Sequence, residues 1–272
     1  MIIVSDSDVR VLIDFLLNVV APLRDANVGA VSCFYRLANP TTRAMQWEAV
    51  AINADFWSQV LQSRSLKPID FALGAVMATP RKPLEAMGGF KALVDYLADD
   101  FQLGNRIVQQ GGRNVLSTLV VECWESPKDW REVWRHQLRW ARTIRVCRPG
   151  PYFLSILGNA TLWPLLWGLV EWPGIHSSRS AVDAAGGFVP VEIFVPAGAW
   201  MVVVCLLVRV LTALKQQQKL ARSRFSAGHF WLIPLKDLLN AALWMSSFLG
   251  NTVEWRGQRY RVERGGHLVK IT

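Results

Sequence analysis

A run of 19 residues without a charged side chain, residues 152–170, constrains the fold of this chain more than any other feature. An α-helix rises about 1.5 Å per residue, so about 20 apolar residues cross the hydrocarbon core of a bilayer. The run therefore predicts a transmembrane helix. A second apolar run, residues 193–208, extends to residue 214 if Arg209 faces protein or reaches the membrane surface.

A third apolar run, residues 230–249, is interrupted by Pro234, Lys236 and Asp237. A broken backbone and charged side chains are unfavourable in lipid. We therefore expect an interfacial or re-entrant segment here rather than a third span. For each of the three runs, the alternative is a buried helix of a soluble core.

The basic residues predict how the chain is oriented in a membrane. The chain has 30 Lys and Arg against 21 Asp and Glu, a net charge of +9, and seven basic residues lie within residues 128–148. The loop 171–187, between the first two runs, has one Arg. The positive-inside rule then places residues 1–149 in the cytoplasm. The basic tail, residues 254–270, lies on the same side only if the third run does not span.

Composition excludes several other classes of protein. Only 19% of residues are charged and 13 are Trp, which is incompatible with a disordered tail, a coiled coil or a collagen-like fibre. The four cysteines lie too far apart for a zinc site or a secreted disulfide framework, so we expect a reduced, cytosol-facing chain. The basic residues crowd beside apolar runs, where lipid headgroups are the nearest anions, so we expect no nucleic-acid partner.

Residues 1–127 alternate between strand and helix patterns, which is typical of an α/β sheet covered by helices. The predicted strands are residues 2–4, 28–35, 72–78 and 115–121. The predicted helices are residues 9–20, 45–62, 80–87, 91–97 and 99–110.

The first motif that can carry chemistry is Asp6-Ser7-Asp8, directly after the apolar residues 2–4. Open α/β sheets bind ligands at the carboxyl ends of their strands, and two carboxylates separated by one residue can hold a hard divalent cation on a diphosphate. Acidic pairs in turns and at helix N-termini are common, so a turn without a cation is the alternative.

The second motif is the acidic pair Asp99-Asp100, which begins the helix 99–110. Carboxylates at this position cap a helix and interact favourably with its dipole. A carboxylate held in a cleft near a helix N-terminus can also accept a proton from a substrate hydroxyl. The sequence leaves both interpretations open.

The third motif is His136-Gln137-Leu138-Arg139-Trp140, within the basic, Trp-rich helix 128–145. Trp130, Trp134 and Leu138 follow one another at four-residue steps beside a stripe of arginines, Arg135, Arg139 and Arg142. This pattern indicates an interfacial helix on anionic lipid headgroups. We expect most of these residues to anchor the membrane, and Arg139 and Trp140 to serve chemistry instead.

The three motifs, in this order and followed by membrane segments, resemble the ceramide glucosyltransferase family. That family has a D-x-D, a later acidic pair and a (Q/R)xxRW motif, and here His136 takes the first place of the third motif. The resemblance also covers residues 71–90, FALGAVMATPRKPLEAMGGF, and the ending VEWRGQRYRV, residues 253–262. It therefore spans almost the whole chain.

The resemblance implies an architecture. Members are inverting glycosyltransferases with a cytosolic GT-A catalytic domain followed by membrane helices. Residues 1–127 would form the C-terminal part of a GT-A domain, residues 128–149 an interfacial helix, and residues 150–250 the membrane region. Residues 251–272 would be a cytoplasmic basic tail. Tyr35-Arg36, His136 and the sequence of residues 251–260 are similar to a bacterial branch that modifies hopanoid lipids, which implies a multi-pass protein of the bacterial inner membrane.

The resemblance also implies roles for single residues. Asp8, helped by Asp6, would hold Mg²⁺ or Mn²⁺ on the diphosphate of a UDP-sugar, and His136 would contribute to binding this donor. Asp100 would be the general base for the hydroxyl of a membrane lipid acceptor. Arg139 would offset charge on the departing diphosphate, and Trp140 would shape the sugar or acceptor side.

Members of this family have an anchor and further nucleotide-binding strands before the D-x-D. We therefore expect a truncated GT-A domain, with residues 2–4 as an unpaired apolar strand at a sheet edge. The alternatives are a non-catalytic integral membrane protein and an inactive, truncated copy of such an enzyme.

Overall fold

The structure is a computed structural model that describes residues 1–171, 197–222 and 229–271. Within these ranges the N-terminal part is built on a five-stranded mixed sheet with the order β1-β4-β3-β5-β2. Its strands are β1 (Ile2–Ser5), β2 (Val9–Arg10), β3 (Val28–Leu37), β4 (Val76–Thr79) and β5 (Arg113–Cys123). The predicted α/β class is confirmed for this part of the chain.

The middle of the sheet is β3, in which eight of ten residues are buried. It pairs in parallel with β5 and antiparallel with β4, which in turn pairs antiparallel with β1 so that Ile2 lies opposite Thr79. The expectation that residues 2–4 form an unpaired strand is therefore wrong. Their backbone groups bond to β4, and β1 is then the terminal strand of the sheet.

The predicted helix over residues 9–20 is also wrong in its first half. Val9 and Arg10 form strand β2 opposite Cys123 and Glu122, and helix α1 (Phe15–Val20) begins five residues later. The Arg10 guanidinium lies 3.7 Å from the centre of the Trp124 ring. Pairing with β5 and this cation–π contact outweigh the local helical pattern.

A helix over residues 45–62 was predicted, and the structure has a longer one in three sections. These are α2 (Arg43–Val50), a π-helical section (Ala51–Phe56) and α3 (Trp57–Leu66). The Thr42 side chain accepts a hydrogen bond from the backbone of Met45 and so caps α2. Asn53 fixes the π-helical section to β3, because its side chain bonds both the N–H and the C=O of Leu37 at 3.0 and 3.2 Å.

The segment that leads to the acidic pair consists of short helices. α4 (Arg81–Ala86) is followed by a 3-10 turn (Phe90–Leu93) and α5 (Asp99–Gln109). Gly104 lets α5 touch the chain beside it, because a Cβ there would lie 2.3 Å from the backbone nitrogen of Ala72. The position of α5 is therefore set by contact with the backbone of residues 71–74.

The amphipathic helix α6 (Trp130–Cys147) begins with a capping box, in which Asp129 and Glu132 each bond the other's backbone N–H at 2.8 Å. One face of α6 packs on the protein: Trp134 and Leu138 contact a buried cluster that includes Trp47 and Leu243. Because this face is covered, only part of the helix can face lipid headgroups.

The first apolar run is a broken helix. α7 with its 3-10 extension (Pro149–Gly158) and α8 (Leu162–Glu171) meet at a bend of 53°. Among the described residues, α9 (Ala197–Lys219) is the one helix that is long and apolar enough to cross a membrane by itself, and the bent pair adds a second if it forms one span. The predicted start of the second run, residues 193–196, lies outside the described residues.

The third apolar run forms α10 (Leu232–Ser247), whose 16 residues are fewer than a span needs. Its two charged residues are buried: Lys236 is 1% exposed and Asp237 is 3% exposed. Arg209 of α9 bonds Asp237 at 2.8 Å and Asp55 of the π-helical section at 2.8 Å, and Lys236 pairs with the same two aspartates. We call these four residues the ion junction. Arg209 thus faces protein, one of the two possibilities that the sequence left open.

A small antiparallel sheet follows α10. Its strands are β6 (Thr252–Trp255), β7 (Gln258–Val262) and β8 (Leu268–Lys270), with a 3-10 turn (Arg264–Gly266) between the last two. Arg142 and Arg145 of α6 donate hydrogen bonds to backbone carbonyls of Thr252 and Gly250. The arginine stripe predicted to lie on lipid headgroups is therefore used in part to hold this sheet.

Candidate active site

Four aspartates collect at one edge of the main sheet. Asp6 follows β1 and its N–H donates to the C=O of Ala75 at 3.1 Å, while the C=O of Asp8, just before β2, accepts from the N–H of Trp124 at 2.9 Å. Asp99 and Asp100 begin α5. These backbone bonds to the segments around β4 and β5 bring the first and second sequence motifs together, although more than 90 residues separate them.

The four carboxylates repel one another. Burial raises the pKa of Asp6, and the negative charges of Asp8 and Asp99 raise it further. Within the described part of the chain, no Lys, Arg or His forms an ion pair with any of the four. This excess of negative charge suits a divalent cation, whose remaining ligands a diphosphate would supply. The described residues contain no group of three or more His, Cys, Asp or Glu that could hold a metal ion by itself.

Asp100 uses one carboxylate oxygen for its own helix. Oδ1 accepts a hydrogen bond from the N–H of Phe101 at 2.6 Å, and Asp99 likewise accepts from the N–H of Asp100 at 2.9 Å. Both residues lie in the first turn of α5, where they suit the helix dipole, but the N-cap is Ala98 and neither side chain caps the helix, so the expected capping role is wrong. The other oxygen of Asp100, Oδ2, lies 3.0 Å from the point that a Cβ of Gly74 would occupy. The absence of a side chain at residue 74 lets the chain lie close to this oxygen, and a larger residue there would crowd it.

Burial raises the pKa of Asp100 to about 6; the bond from Phe101 opposes the rise, and the nearby Asp99 and Asp6 add to it. A carboxyl group with such a pKa is still largely ionised at pH 7, and it binds a proton more readily than an exposed carboxylate does. These are the properties of a general base.

The third motif lies on α6. Burial lowers the pKa of the Arg139 guanidinium, and among the described residues no carboxylate pairs with it. The rings of His136 and Trp140 are 4.5 Å apart. Trp140 packs, together with Tyr35 of β3, against the cluster formed by Leu37, Met45, Ala49 and Ile52.

Tyr35 lies where the acidic group and α6 approach each other. Burial raises the pKa of its hydroxyl well above the ordinary value, and the negative charges of Cys123, Asp100, Glu48 and Asp6 contribute. Near the C-terminal end of α6, Cys147 also interacts with the charge of Asp100. The structure therefore brings the residues of all three motifs to one region, with the aspartates on the sheet side and Arg139 and Trp140 on α6.

Sequence reasoning missed two contributors to this region. Glu48 of α2 is completely buried, and its carboxylate bonds His136 at 2.7 Å and Gln137 at 2.8 Å. The 3-10 turn of the C-terminal sheet covers α5: the Gln102 side chain donates to the C=O of Gly265 at 2.7 Å. A glutamate within the apolar stretch 44–54 was a signal for the first, and no pattern in the sequence points to the second.

Comparison with known protein families identifies the chain as a glycosyltransferase. Residues 1–268 match glycosyl transferase family 21, so the chain belongs to that family. A search among curated proteins finds no match. The predicted family and the general activity are thereby confirmed, and the match includes the acidic group, α6 and nearly all of the C-terminal sheet.

Proposed function

We propose that this glycosyltransferase moves a hexose or N-acetylhexosamine from a UDP-sugar to the hydroxyl of a membrane lipid, with inversion at the anomeric carbon. The acceptor is a ceramide-type or hopanoid-type lipid, and the enzyme is a multi-pass protein of the bacterial inner membrane with its catalytic side in the cytoplasm. One observation carries the proposal: Asp6 and Asp100 of the acidic group act electrostatically on Tyr35, and Trp140, next to the half-buried Arg139 on α6, packs with the same tyrosine.

The acidic group and Arg139 both suit the diphosphate of a nucleotide sugar, the first through a bound cation and the second directly. Asp6 and Asp8 would hold Mg²⁺ or Mn²⁺, and the bound cation would neutralise part of the diphosphate charge. Arg139 presents a desolvated guanidinium that can bond phosphate oxygens in pairs. Trp140 and His136 lie beside it, where they would contact the sugar or the diphosphate.

Asp100 would accept the proton of the lipid hydroxyl through Oδ2. The hydroxyl oxygen then forms the new bond to the anomeric carbon, and the bond between that carbon and the diphosphate oxygen breaks. Its electron pair leaves with UDP, whose growing negative charge lies near Arg139. Attack from the face opposite the leaving group inverts the anomeric centre.

Apolar helices next to this region support a lipid as the acceptor. The bent pair α7–α8 follows α6 directly, and α8 packs on α9. Exposed Trp163, Trp167 and Trp200 lie on these helices, and tryptophan is enriched at membrane surfaces. Basic residues beside such helices favour anionic lipid headgroups as a further partner, and not nucleic acid.

The test is transfer by the full-length protein in lipid nanodiscs, with a panel of UDP-sugars and with ceramide or a hopanoid as acceptor. The measurements are UDP release and the mass of the lipid product. Arg139→Gln should lower turnover about 10²–10³-fold, as expected when a donor that stabilises charge in the transition state is lost.

Arg135→Gln is the matched control. Arg135 lies one turn earlier on α6, is exposed and makes only a surface ion pair with Glu254 at 3.9 Å, so this variant should retain near-normal turnover. If the wild-type protein transfers no sugar to any lipid offered, the non-catalytic alternative is favoured. Equal turnover of the two variants would remove Arg139 from the proposal.

A further inference from the structure

Glu48 is a completely buried carboxylate whose oxygens are bonded unequally. Oε1 accepts the Gln137 amide at 2.8 Å and lies 2.7 Å from Nδ1 of His136. Oε2 is buried without a hydrogen bond, with the Lys128 ammonium 4.0 Å away. A buried carboxylate is costly unless its neighbours compensate it, so this arrangement needs an explanation beyond packing.

The carboxylate determines which nitrogen of His136 carries a proton. Burial alone would raise the pKa of Glu48, but the hydrogen bond and charge of His136, the Gln137 amide and Lys128 hold it below its ordinary value. An ionised carboxylate can only accept hydrogen bonds. Nδ1 of His136 therefore donates to Glu48, and the ring is fixed with Nε2 as its other nitrogen.

Nε2 of His136 is the atom left for a ligand. Within the described residues it has no hydrogen-bond partner, and the side chain is 17% exposed. The same ring lies against Trp140, next to Arg139. Fixing Nδ1 thus fixes the direction of Nε2, as carboxylates that bond the other ring nitrogen do for functional histidines elsewhere.

We propose that Glu48 is a positioning residue for the donor site: it holds the His136 ring and the Gln137 amide so that Nε2 of His136 faces the UDP-sugar. This inference rests on the proposed function for the identity of the ligand. The arrangement of the ring does not depend on that function and can be measured separately.

The experiment uses ¹⁵N-histidine-labelled protein in nanodiscs and long-range ¹H–¹⁵N spectra, which report the protonation of each ring nitrogen. The chain has four histidines, so His136→Gln assigns the His136 signals. Wild-type protein should show a protonated Nδ1. Glu48→Met fills the same space without an acceptor, and it should shift the proton towards Nε2. Glu48→Gln restores an acceptor oxygen and should return the proton to Nδ1.

Val50→Ala is the matched control, because Val50 is also 0% exposed on α2 but packs against α9 and α10. It should lower Tm and leave the His136 spectrum unchanged. If Glu48→Met and the wild-type protein give the same His136 spectrum, or if wild-type Nδ1 is unprotonated, the proposal is overturned.

Turnover measurements test whether the orientation of the His136 ring matters for sugar transfer. Glu48→Met should lower kcat about 10²-fold, the loss typical of a group displaced by about 1 Å, and Glu48→Gln should recover most of it. Equal turnover of Glu48→Met and wild-type protein would also overturn the proposal. A wild-type protein without any transfer activity would contradict the proposed function alone, because the spectra would still test the positioning of His136.

Discussion

At the scale of single residues, the protonation of Asp100 should make the activity depend on pH. Its pKa of about 6 means that the proposed base is protonated, and therefore inactive, in more acidic solution. We expect kcat/KM to fall as the pH decreases below about 6. A pH–rate profile measured with the lipid acceptor well below its KM checks this, and a profile that stays flat down to pH 5 would contradict it.

Asp100→Asn should remove most turnover, about 10²–10⁴-fold, while the affinity for the UDP-sugar stays near normal, because a base acts on the acceptor proton. The same change should stabilise the fold above pH 6. The raised pKa means that the folded state binds this proton more tightly than the unfolded chain, so stability is lost as the pH rises from about 4 through 6.

The asparagine variant avoids that loss, which is at most about 3 kcal/mol. Its Tm should therefore equal or exceed that of the wild-type protein at pH 7.5 and match it more closely at pH 4.5. Calorimetry of both proteins at the two pH values measures this. A variant with normal turnover would show that Asp100 is not the general base.

Not every residue of the site could be predicted from the sequence. Asp6, Asp8, Asp100, Arg139 and Trp140 stand in short motifs, so their residue types and spacing were informative. Glu48 is 88 residues from His136 and belongs to no motif, and only the packing of α2 on α6 brings the two together. The roles assigned to all of these residues remain predictions.

At the scale of elements, Gly104 determines where α5 holds the acidic pair. A Cβ at this position would lie 2.3 Å from the Ala72 nitrogen and 2.4 Å from the Phe71 carbonyl carbon, and backbone atoms cannot move aside as a flexible side chain does. Gly104→Ala should therefore destabilise the fold by about 1–3 kcal/mol, despite the better helix propensity of alanine, and lower turnover as α5 shifts.

The control is Gly150→Ala in α7, where a Cβ would have no neighbour within 4 Å. Thermal unfolding of both variants should show a lower Tm for the first and an unchanged or higher Tm for the second. A Gly104→Ala protein as stable as wild type would mean that α5 and residues 71–74 can separate without cost.

The ion junction, which joins the π-helical section, α9 and α10, gives a second prediction at this scale. Lys236→Met removes one of two cations that compensate the buried Asp237 and the half-buried Asp55. Removing one partner of a buried ion pair lowers the free energy of unfolding by about 3–5 kcal/mol, so Tm should fall by about 10 °C. The exposed Lys270→Met, on β8, should change Tm little. Similar Tm values for the two variants would contradict the structural role of the ion junction.

Elements were predictable where local pattern and tertiary contacts agree. The predicted positions of β3, α5 and α6 are confirmed because their apolar periodicity matches the face that is buried. Two expectations were wrong because strands distant in sequence determine the structure. Residues 9–10 form β2 by pairing with β5, and residues 2–4 form a paired strand because β4 lies beside them. The bend between α7 and α8 also lies within a run whose composition shows no interruption by charge.

At the scale of the whole molecule, the distribution of basic residues predicts that the main sheet and the loop 171–187 lie on opposite sides of the membrane. Cys33 is 0% exposed and is therefore a poor reporter, but Ser65 at the end of α3 is exposed. In intact bacterial cells, a membrane-impermeant maleimide should not label Ser65→Cys until the membrane is permeabilised. It should label Ser178→Cys at once, at a position outside the described residues.

Peptide mass spectrometry distinguishes these labels from labels on the four native cysteines. The reverse pattern, with Ser65→Cys labelled in intact cells, would contradict the orientation. The family and the α/β class of the N-terminal part could be predicted at this scale, because three motifs occur in a fixed order and strand and helix patterns alternate before the third. The docking of the C-terminal sheet on α5 could not, since it depends on backbone bonds such as that from Leu97 to Gly266.

The ion junction also has a consequence for how this protein is made. The ribosome completes Asp55 and the apolar face around Val50 and Ala54 long before it reaches α9 and α10, which supply Arg209, Lys236 and the covering residues Ala213, Leu232 and Ile233. Until those helices are in place, the nascent sheet domain exposes an apolar, aggregation-prone face and a carboxylate without its cations. A chain in which α9 and α10 do not reach their places would keep that face exposed, which would favour recognition by chaperones and proteases.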